Sequence, residues 1–439
     1  MSNPTPLFQA GSIERQFAHE LVRRLNDRGF TAYYAGGCVR DALLGIQPKD
    51  FDVATNATPE QVRSAFGESH TQSVGEAFGV ILVQGRIAKQ KCQVEVATFR
   101  TDGSYSDGRR PDWVEFASAE QDAQRRDFTI NGLFFDPLKN LVIDFVGGQA
   151  DLRAKTLRAI GNPADRIRED RLRMLRAVRF AARYEFEIEA DTLAAIIQSA
   201  PGISLVSGER IGNELTRILE HPNRNTAWKL LNTCHLREHL APEIPSECPL
   251  FDELPKSFCP LPLVLASLLD PWCSSRLATP ANRSSLAPNE IDKSKIQLAA
   301  LRNRWKLSNA VAQDTLTCIN TSKWIVQADL FPWSAVQPNL LHGQHEESLT
   351  LAELLCSLHN WPKLGIQRCT TQLNLPVELW NPPPLLLGDD LIQAGLKPSP
   401  LFGKLLQESR SLQLDQSLTS KDQAIAWLHD QIRNSHERK

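Results

Sequence analysis

Apolar residues recur at helical spacing near the start of the chain and at strand spacing soon after it. Following Ser12, an apolar residue recurs every fourth position as far as Leu25, which predicts a capped amphipathic helix over residues 12–28. A strand, FTAYYAGG, is predicted next, and short β-rich runs such as FGVILVQG and QVEVATF then alternate with helical pieces to about residue 150. This pattern is typical of a compact α/β or α+β domain.

The periodicity becomes helical after Gly148. Three segments between Asp151 and about Pro222 have helical spacing with hardly a strand candidate among them: EDRLRMLRAVRFAARYEF, DTLAAIIQSA and GERIGNELTRILEH. The remainder stays helical but is interrupted by prolines, and the Ser/Pro/Asn-rich stretch at 278–289 is a candidate linker. We therefore predict an α+β protein in which a sheet-containing part precedes an all-α part.

Length, charge and cysteine content limit the possible classes of protein. A chain of 439 residues favours two to four domains. Because 49 basic residues face 51 acidic ones, any nucleic acid must bind to a local basic patch. Nine scattered cysteines without a CxxC pair indicate reduced thiols and a cytoplasmic protein. The N-terminus has no basic region followed by an apolar run, and the longest apolar stretch is too short to span a bilayer. Neither a targeting segment nor a membrane partner is therefore predicted.

Three acidic residues are candidates for metal binding. In KDFDVA, the side chains of Asp50 and Asp52 should project from one face, because strand side chains alternate. Carboxylates so placed suit Mg²⁺ chemistry on phosphates, in which two ions about 4 Å apart are bound by hard oxygen ligands. Glu95, on the strand-like run QVEVATFR, would complete the set. Taken alone, the two aspartates are more often a solvated face of an edge strand, and a surface position explains Glu95 equally well.

Glycines and basic residues near these acids are candidates for binding a nucleotide. Gly36 and Gly37 have no side chains, so backbone N–H groups there can approach a polyphosphate, and Arg40 follows on a predicted helix. An ordinary strand-to-helix turn also explains the glycines. In RRDFTING, Arg126 suits a phosphate and Asp127 a ribose hydroxyl, whereas a helix N-cap is the alternative role for Asp127.

Together these motifs resemble the class II template-independent nucleotidyltransferases, which comprise tRNA CCA-adding enzymes and bacterial poly(A) polymerases. GGCVRDALLG with DFDVAT is similar to the first motif of that family, VEVATFR to its third-carboxylate strand, and RRDFTING, which contains Asn131, to its ribose motif. DFVGGQADL resembles the hinge and EDRLRMLR the nucleotide-reading motif. The order of the motifs is preserved over about residues 30 to 220.

The resemblance implies both an architecture and a chemistry. An N-terminal helix (1–29) would precede a nucleotidyltransferase β-sheet head with flanking helices (30–150). A helical neck that binds nucleotide and RNA (151–240) and a helical body and tail that bind tRNA (241–439) would follow. Two Mg²⁺ ions would be bound by the three acidic residues above, and Asn131 would be a further nucleotide-binding residue.

The EDRLRMLR segment can also be interpreted from its chemistry. On one helix, Asp170, Arg173, Arg176 and Arg179 would form a slanting stripe, and Glu169 would lie one turn before Arg173 and orient it. A carboxylate only accepts hydrogen bonds and a guanidinium only donates them. Asp170 facing the amino group and Arg173 facing the ring nitrogen would therefore select the bases C and A and reject U and G.

Two further roles follow for this basic region. Arg176 and Arg179 are left for phosphate or ribose. Residues 152–183 contain ten Lys/Arg against three acids, which suits a triphosphate and an RNA 3′ end. A solvated charged face is the alternative reading of the segment.

Two sequence features distinguish among the activities in this family. The basic segment typical of poly(A) polymerases is absent from SAFGESHTQSVGEAFGVILV, and Thr101–Phe116 resembles the flexible loop that complete CCA-adding enzymes need for the final A. We therefore predict addition of CCA to the tRNA 3′ end from CTP and ATP, with release of pyrophosphate. A poly(A) polymerase, a partial CC- or A-adding tRNA nucleotidyltransferase and an inactive RNA-binding relative are the alternatives.

Overall fold

The computed structural model describes Phe8 and residues 12–75, 79–103, 113–269 and 289–436. The chain divides into two compact units. The first consists of Met1–Ile218 and Thr226–Pro242, and the second of Leu219–Asn225 and Glu243–Lys439. The domain boundaries predicted at residues 30, 151 and 241 stay predictions.

A seven-stranded mixed sheet forms the core of the first unit, in the order β3-β4-β5-β2-β1-β8-β9. Only the β2–β5 pair within it is parallel, and its register places Asp52 opposite Glu95. Two smaller pairs, β6–β7 and β10–β11, lie outside this sheet. The strands are β1 (Ala32–Ala35), β2 (Asp52–Thr55), β3 (Thr71–Gly75), β4 (Val80–Ile87), β5 (Gln90–Thr98), β6 (Arg100–Asp102), β7 (Val114–Phe116), β8 (Leu133–Asp136), β9 (Leu141–Asp144), β10 (Thr156–Leu157) and β11 (Glu187–Ile188).

Helices flank the sheet and continue beyond it. The predicted first helix is confirmed: Ser12 Oγ accepts a hydrogen bond from Arg15 N at 3.2 Å, and Phe17, Leu21 and Leu25 are buried. The helices as far as Leu240 are α1 (Ile13–Asn26), α2 (Gly37–Leu43), α3 (Pro59–Phe66), α4 (Ala119–Gln124), α5 (Gly148–Ala154), α6 (Pro163–Glu169), α7 (Arg173–Tyr184), α8 (Ala190–Ser199), α9 (Gly208–Leu219), α10 (Arg224–Thr233) and α11 (Arg237–Leu240). Short 3₁₀ helices cover Glu68–His70, Thr129–Asn131 and Ala200–Leu205.

Every regular element in the described residues of the second unit is helical, as predicted. Leu391, Leu405 and Leu428, from its last three helices, share one buried apolar cluster. The elements are α12 (Pro249–Asp252), α13 (Leu261–Leu269), α14 (Asn289–Trp305), α15 (Asn309–Val326), α16 (Trp333–Val336), a 3₁₀ helix (Gln337–Leu340), α17 (His345–His359), α18 (Leu364–Leu373), α19 (Val377–Trp380), α20 (Gly388–Gln393), α21 (Pro400–Leu414) and α22 (Lys421–His436).

Three sequence predictions can be followed into these elements. The linker predicted at 278–289 lies almost wholly outside the described residues. The eight described cysteines are all buried and unbridged, as expected for reduced thiols. Within the described ranges, no helix combines the length and the apolar character needed to cross a bilayer.

Candidate active site

A cleft of about 730 Å³ in the first unit brings together every predicted site residue except Asp50 and Glu95. Nine arginines and four aspartates dominate its walls, so a local basic patch exists within a nearly neutral chain. The lining residues are Gly36, Gly37, Arg40, Asp52, Arg100, Asp102, Arg125, Arg126, Asp127, Asn131, Asp170, Arg173, Arg176, Arg179, Phe180, Arg183 and Arg217.

The three candidate metal ligands lie near one another at the start of β2 and on β5. The predicted alternation is present, since Phe51 and Val53 are buried whereas Asp50 and Asp52 are exposed, although the strand begins only at Asp52. Glu95 is exposed and stands opposite Asp52 in the parallel register. Among the described residues, however, no three His, Cys, Asp or Glu side chains converge in the manner of a metal site.

The electrostatics at Asp52 fit a divalent cation. Although its side chain is exposed, the pKa of Asp52 is raised to about 6. Loss of water within the cleft is the largest cause; the carboxylates of Glu95 and Asp50 also raise the pKa, and Arg126 lowers it. Neighbouring carboxylates that repel one another become favourable when a cation lies between them. Asp52, with Glu95 and Asp50 beside it, is therefore the carboxylate in this cleft that could hold a divalent cation.

The turn before α2 depends on Gly36. Its backbone has φ 66° and ψ −116°, a conformation that favours glycine, and its N–H donates to Leu133 O at 2.9 Å. A Cβ at this position would lie 2.9 Å from Arg126 Nη1. The missing side chain therefore makes room for the Arg126 guanidinium, and Gly37 begins the helix.

Arg40 lies on α2, and its side chain is buried against Asn131 and α7. Its Nε donates to Asp41 Oδ1 at 2.8 Å, and its Nη1 donates to Asn131 Oδ1. The guanidinium carbon lies 4.7 Å from the ring centre of Tyr184 and 5.3 Å from that of Phe180. Arg40 thus lines the cleft and also ties α2 to α7.

Asp127 belongs to the same network. Its Oδ1 accepts from Phe128 N and from Asn131 Nδ2, and its Oδ2 accepts from Arg176 Nε at 2.9 Å. Burial alone would raise its pKa, but attraction to Arg176 and these hydrogen bonds lower it to about 2. The following 3₁₀ helix is capped by Phe128, so the N-cap alternative for Asp127 is wrong. Because Arg40 donates to Asn131, hydrogen bonds run without a break from Arg40 to Arg176.

Asp122 holds Arg126, and sequence reasoning missed it. Its two carboxylate oxygens accept from Arg125 at 2.7 Å and from Arg126 at 3.0 Å. Burial would raise the pKa of Asp122, but the two guanidinium groups lower it. The spacing of i, i+3 and i+4 around α4 is the signal that could have identified it.

The proposed base-reading residues do not lie on one helix. Asp170 has φ −146° and ψ 103° between α6 and α7, and α7 begins only at Arg173. The predicted stripe is therefore wrong for Asp170, because the chain leaves the helical conformation after Glu169. The pairing of Glu169 with Arg173 is confirmed at 2.5 Å.

Two residues of α9 hold this region, and sequence reasoning missed both. Arg210 Nη2 donates to Asp170 Oδ2 at 2.7 Å, and Leu172 N donates to the other oxygen. Glu214 is buried and accepts from Arg179 Nε at 2.6 Å. Forty residues separate Arg210 from Asp170, so no local spacing could indicate their contact.

Arg176 and Arg179 thus have internal partners, Asp127 and Glu214, in addition to the phosphate or ribose roles predicted for them.

The segment Thr101–Phe116 begins and ends in the paired strands β6 and β7, and its residues 104–112 lie outside the described residues.

Comparison with known proteins identifies the family. A model described as the Poly A polymerase head domain matches residues 32–158, and one described as the probable RNA and SrmB-binding site of polymerase A matches 185–248. The CCA-adding enzyme of Enterococcus faecalis (strain ATCC 700802 / V583) is 33% identical over 429 residues, covering 96% of this chain and 97% of that relative. The chain belongs to the CCA-adding enzyme family.

Two further relatives agree with this assignment. The CCA-adding enzyme of Geobacillus thermodenitrificans (strain NG80-2) is 41% identical over 226 residues, covering 51% of this chain and 54% of that relative. The crystal structure of the Bacillus stearothermophilus CCA-adding enzyme in complex with CTP superposes with a TM-score of 0.71 at 26% identity, covering 98% of this chain and all of that one. The predicted family and fold class are confirmed.

Proposed function

We propose that this chain adds CCA to the 3′ end of tRNA from CTP and ATP without a nucleic-acid template and releases pyrophosphate. The observation that carries the proposal is a single basic cleft that contains both the carboxylate Asp52 and the pair Asp170 and Arg173. The relative from E. faecalis, similar over nearly the whole chain, supports it by its name.

In this proposal the RNA 3′-hydroxyl oxygen attacks the α-phosphorus in line, a new P–O bond forms, and the bond to the β-phosphate breaks as pyrophosphate leaves. Asp52, with Asp50 and Glu95 beside it, would bind the two predicted Mg²⁺ ions. When bound, these ions would neutralise charge on the phosphates and on the attacking oxygen. Arg126, with the Gly36–Gly37 turn, would hold the triphosphate.

Base selection would rest on two side chains that the protein already holds in place. Each Asp170 oxygen accepts one internal hydrogen bond and retains a lone pair, so it can accept from the amino group of C or A. Arg173 uses Nη1 for Glu169 and for Arg166 O; no other described residue accepts from it, so its remaining N–H groups can face the ring nitrogen. UTP and GTP would leave both groups unpaired, which discriminates by roughly 10⁴ in a polar site.

Alanine substitutions test the two halves of this proposal separately. Asp50→Ala and Asp52→Ala should abolish CMP and AMP incorporation while the fold remains intact; unchanged turnover would remove the metal assignment. Asp170→Ala should relax discrimination against UTP and GTP more than it slows CMP addition. Asp165→Ala is the matched control, because this exposed aspartate pairs with Arg168 outside the cleft. Unaltered nucleotide preference in Asp170→Ala would contradict the base-reading role.

A further inference from the structure

The arginines that line the cleft fall into two groups according to their internal partners. Seven of the nine lie within 3.0 Å of a carboxylate oxygen, and their side chains are at most 32% exposed. Arg217 reaches Glu214 only at 3.6 Å, and its side chain is 66% exposed. Arg183 is exposed and has no ion pair or hydrogen bond with any residue of the described part of the chain.

Both exceptions extend rows of side chains that run along two helices. On α7, Arg176, Arg179 and Arg183 are spaced at i, i+3 and i+7 and so share a face. On α9, Glu214 and Arg217 are spaced at i and i+3. Glu214 contacts both Arg179 and Arg217, so the α9 row faces the α7 row. Arg183 and Arg217 therefore continue the basic lining outward from its internally paired part.

The Arg183 guanidinium is placed by an aromatic ring instead of a carboxylate. Its central carbon lies 5.2 Å from the ring centre of Tyr184. That ring is itself fixed, because the Tyr184 hydroxyl donates to Asp41 Oδ1 at 2.9 Å. Ten residues of α7 separate Arg183 from Arg173, or about 15 Å along the helix axis. Arg183 is thus an ordered cation well away from the base-reading pair.

We propose that Arg183 and Arg217 bind backbone phosphates of the RNA acceptor end. The proposal rests on the proposed function, because it assigns the second substrate of the same cleft. Exposed cations without a close internal partner exchange small counterions for phosphates, which is the main source of affinity for nucleic acid. The seven internally paired arginines have fixed positions, which suit a single nucleotide.

Glutamine substitutions at the two positions test this assignment. We expect Arg183→Gln and Arg217→Gln each to weaken binding of a tRNA that ends before CCA by about tenfold at low salt. The slope of log Kd against log salt should fall by about 0.7 for each lost contact. The KM for CTP should stay within about twofold of wild type. Arg168→Gln is the control, because its exposed guanidinium lies outside the cleft and pairs with Asp165.

The outcomes separate this inference from the proposed function. Unchanged RNA affinity and salt slope in both variants would overturn the inference. A raised KM for CTP would also overturn it, because it would assign the two arginines to the triphosphate. An equal loss in Arg168→Gln would reduce the effect to net charge and would also overturn it. If the wild-type protein bound RNA through these arginines but transferred neither CMP nor AMP, the inference would stand and the proposed function would fail.

Discussion

Replacing Asp52 with asparagine is expected to stabilise the folded protein at pH 8 while it destroys activity. The pKa of Asp52 is raised from 3.8 to about 6, so the folded state disfavours the ionised form that prevails above that pH. A shift of about 2 units corresponds to at most about 3 kcal/mol, and because the side chain is exposed to screening water we expect about 1 kcal/mol. This gain should raise the apparent Tm by about 3 °C.

The sign of this effect distinguishes it from ordinary damage to the fold. Ionisation of Asp52 destabilises the wild-type fold increasingly as the pH rises from 4 to 6. Wild type and Asp52→Asn should therefore unfold at the same temperature near pH 4 and at different temperatures at pH 8. Asp127→Asn should behave in the opposite way: its pKa is lowered to about 2, so its stabilising contribution is present above pH 3.8 and its removal should cost about 2 kcal/mol at pH 8.

Thermal unfolding at pH 4, 6 and 8, with and without Mg²⁺, is the appropriate assay. Mg²⁺ should raise the Tm of the wild-type protein at pH 8, because it relieves the repulsion between Asp52 and its carboxylate neighbours. The same addition should have little effect on Asp52→Asn. If Asp52→Asn were less stable than wild type at pH 8, or if its difference from wild type did not change with pH, this reasoning would be refuted.

Two further substitutions test contacts around the cleft. Arg210→Gln should increase misincorporation of UMP and GMP less than Asp170→Ala does, because it removes the 2.7 Å contact that holds Asp170; Arg210→Lys should recover part of the selectivity. Gly36→Ala should lower activity strongly, because the added Cβ would meet Arg126. Gly45→Ala is the control and should lower activity less, because Gly45 also has a positive φ but no atom lies within 4 Å of the added carbon. Wild-type selectivity in the first variant, or equal activity of the two alanine variants, would contradict these roles.

The sequence predicts the alternation at Asp50 and Asp52 and the turn at Gly36 because both depend on local spacing. Alternation around Phe51 placed Asp50 and Asp52 on one side, and that alternation is present in the structure. The turn at Gly36 was recognisable because glycine is favoured where φ is positive.

The sequence could not predict contacts that depend on the packing of distant elements. Arg210 is forty residues from Asp170, and Arg176 is forty-nine residues from Asp127, so only the fold brings these pairs together. The break in helical conformation at Asp170 was also missed, because the apolar periodicity continues across it. Packing between helices, and not periodicity, decides where that side chain points.

Nucleotide addition to defined RNA ends tests the central claim most directly. Purified protein is incubated with tRNA that ends before CCA, with tRNA that ends at CC, and with an unrelated RNA, and each labelled nucleoside triphosphate is supplied in turn. We expect CTP to be used first and a single AMP to follow, with no product from UTP or GTP. ATP tails on the unrelated RNA would contradict this account in favour of poly(A) addition, and the absence of any transfer would contradict it outright.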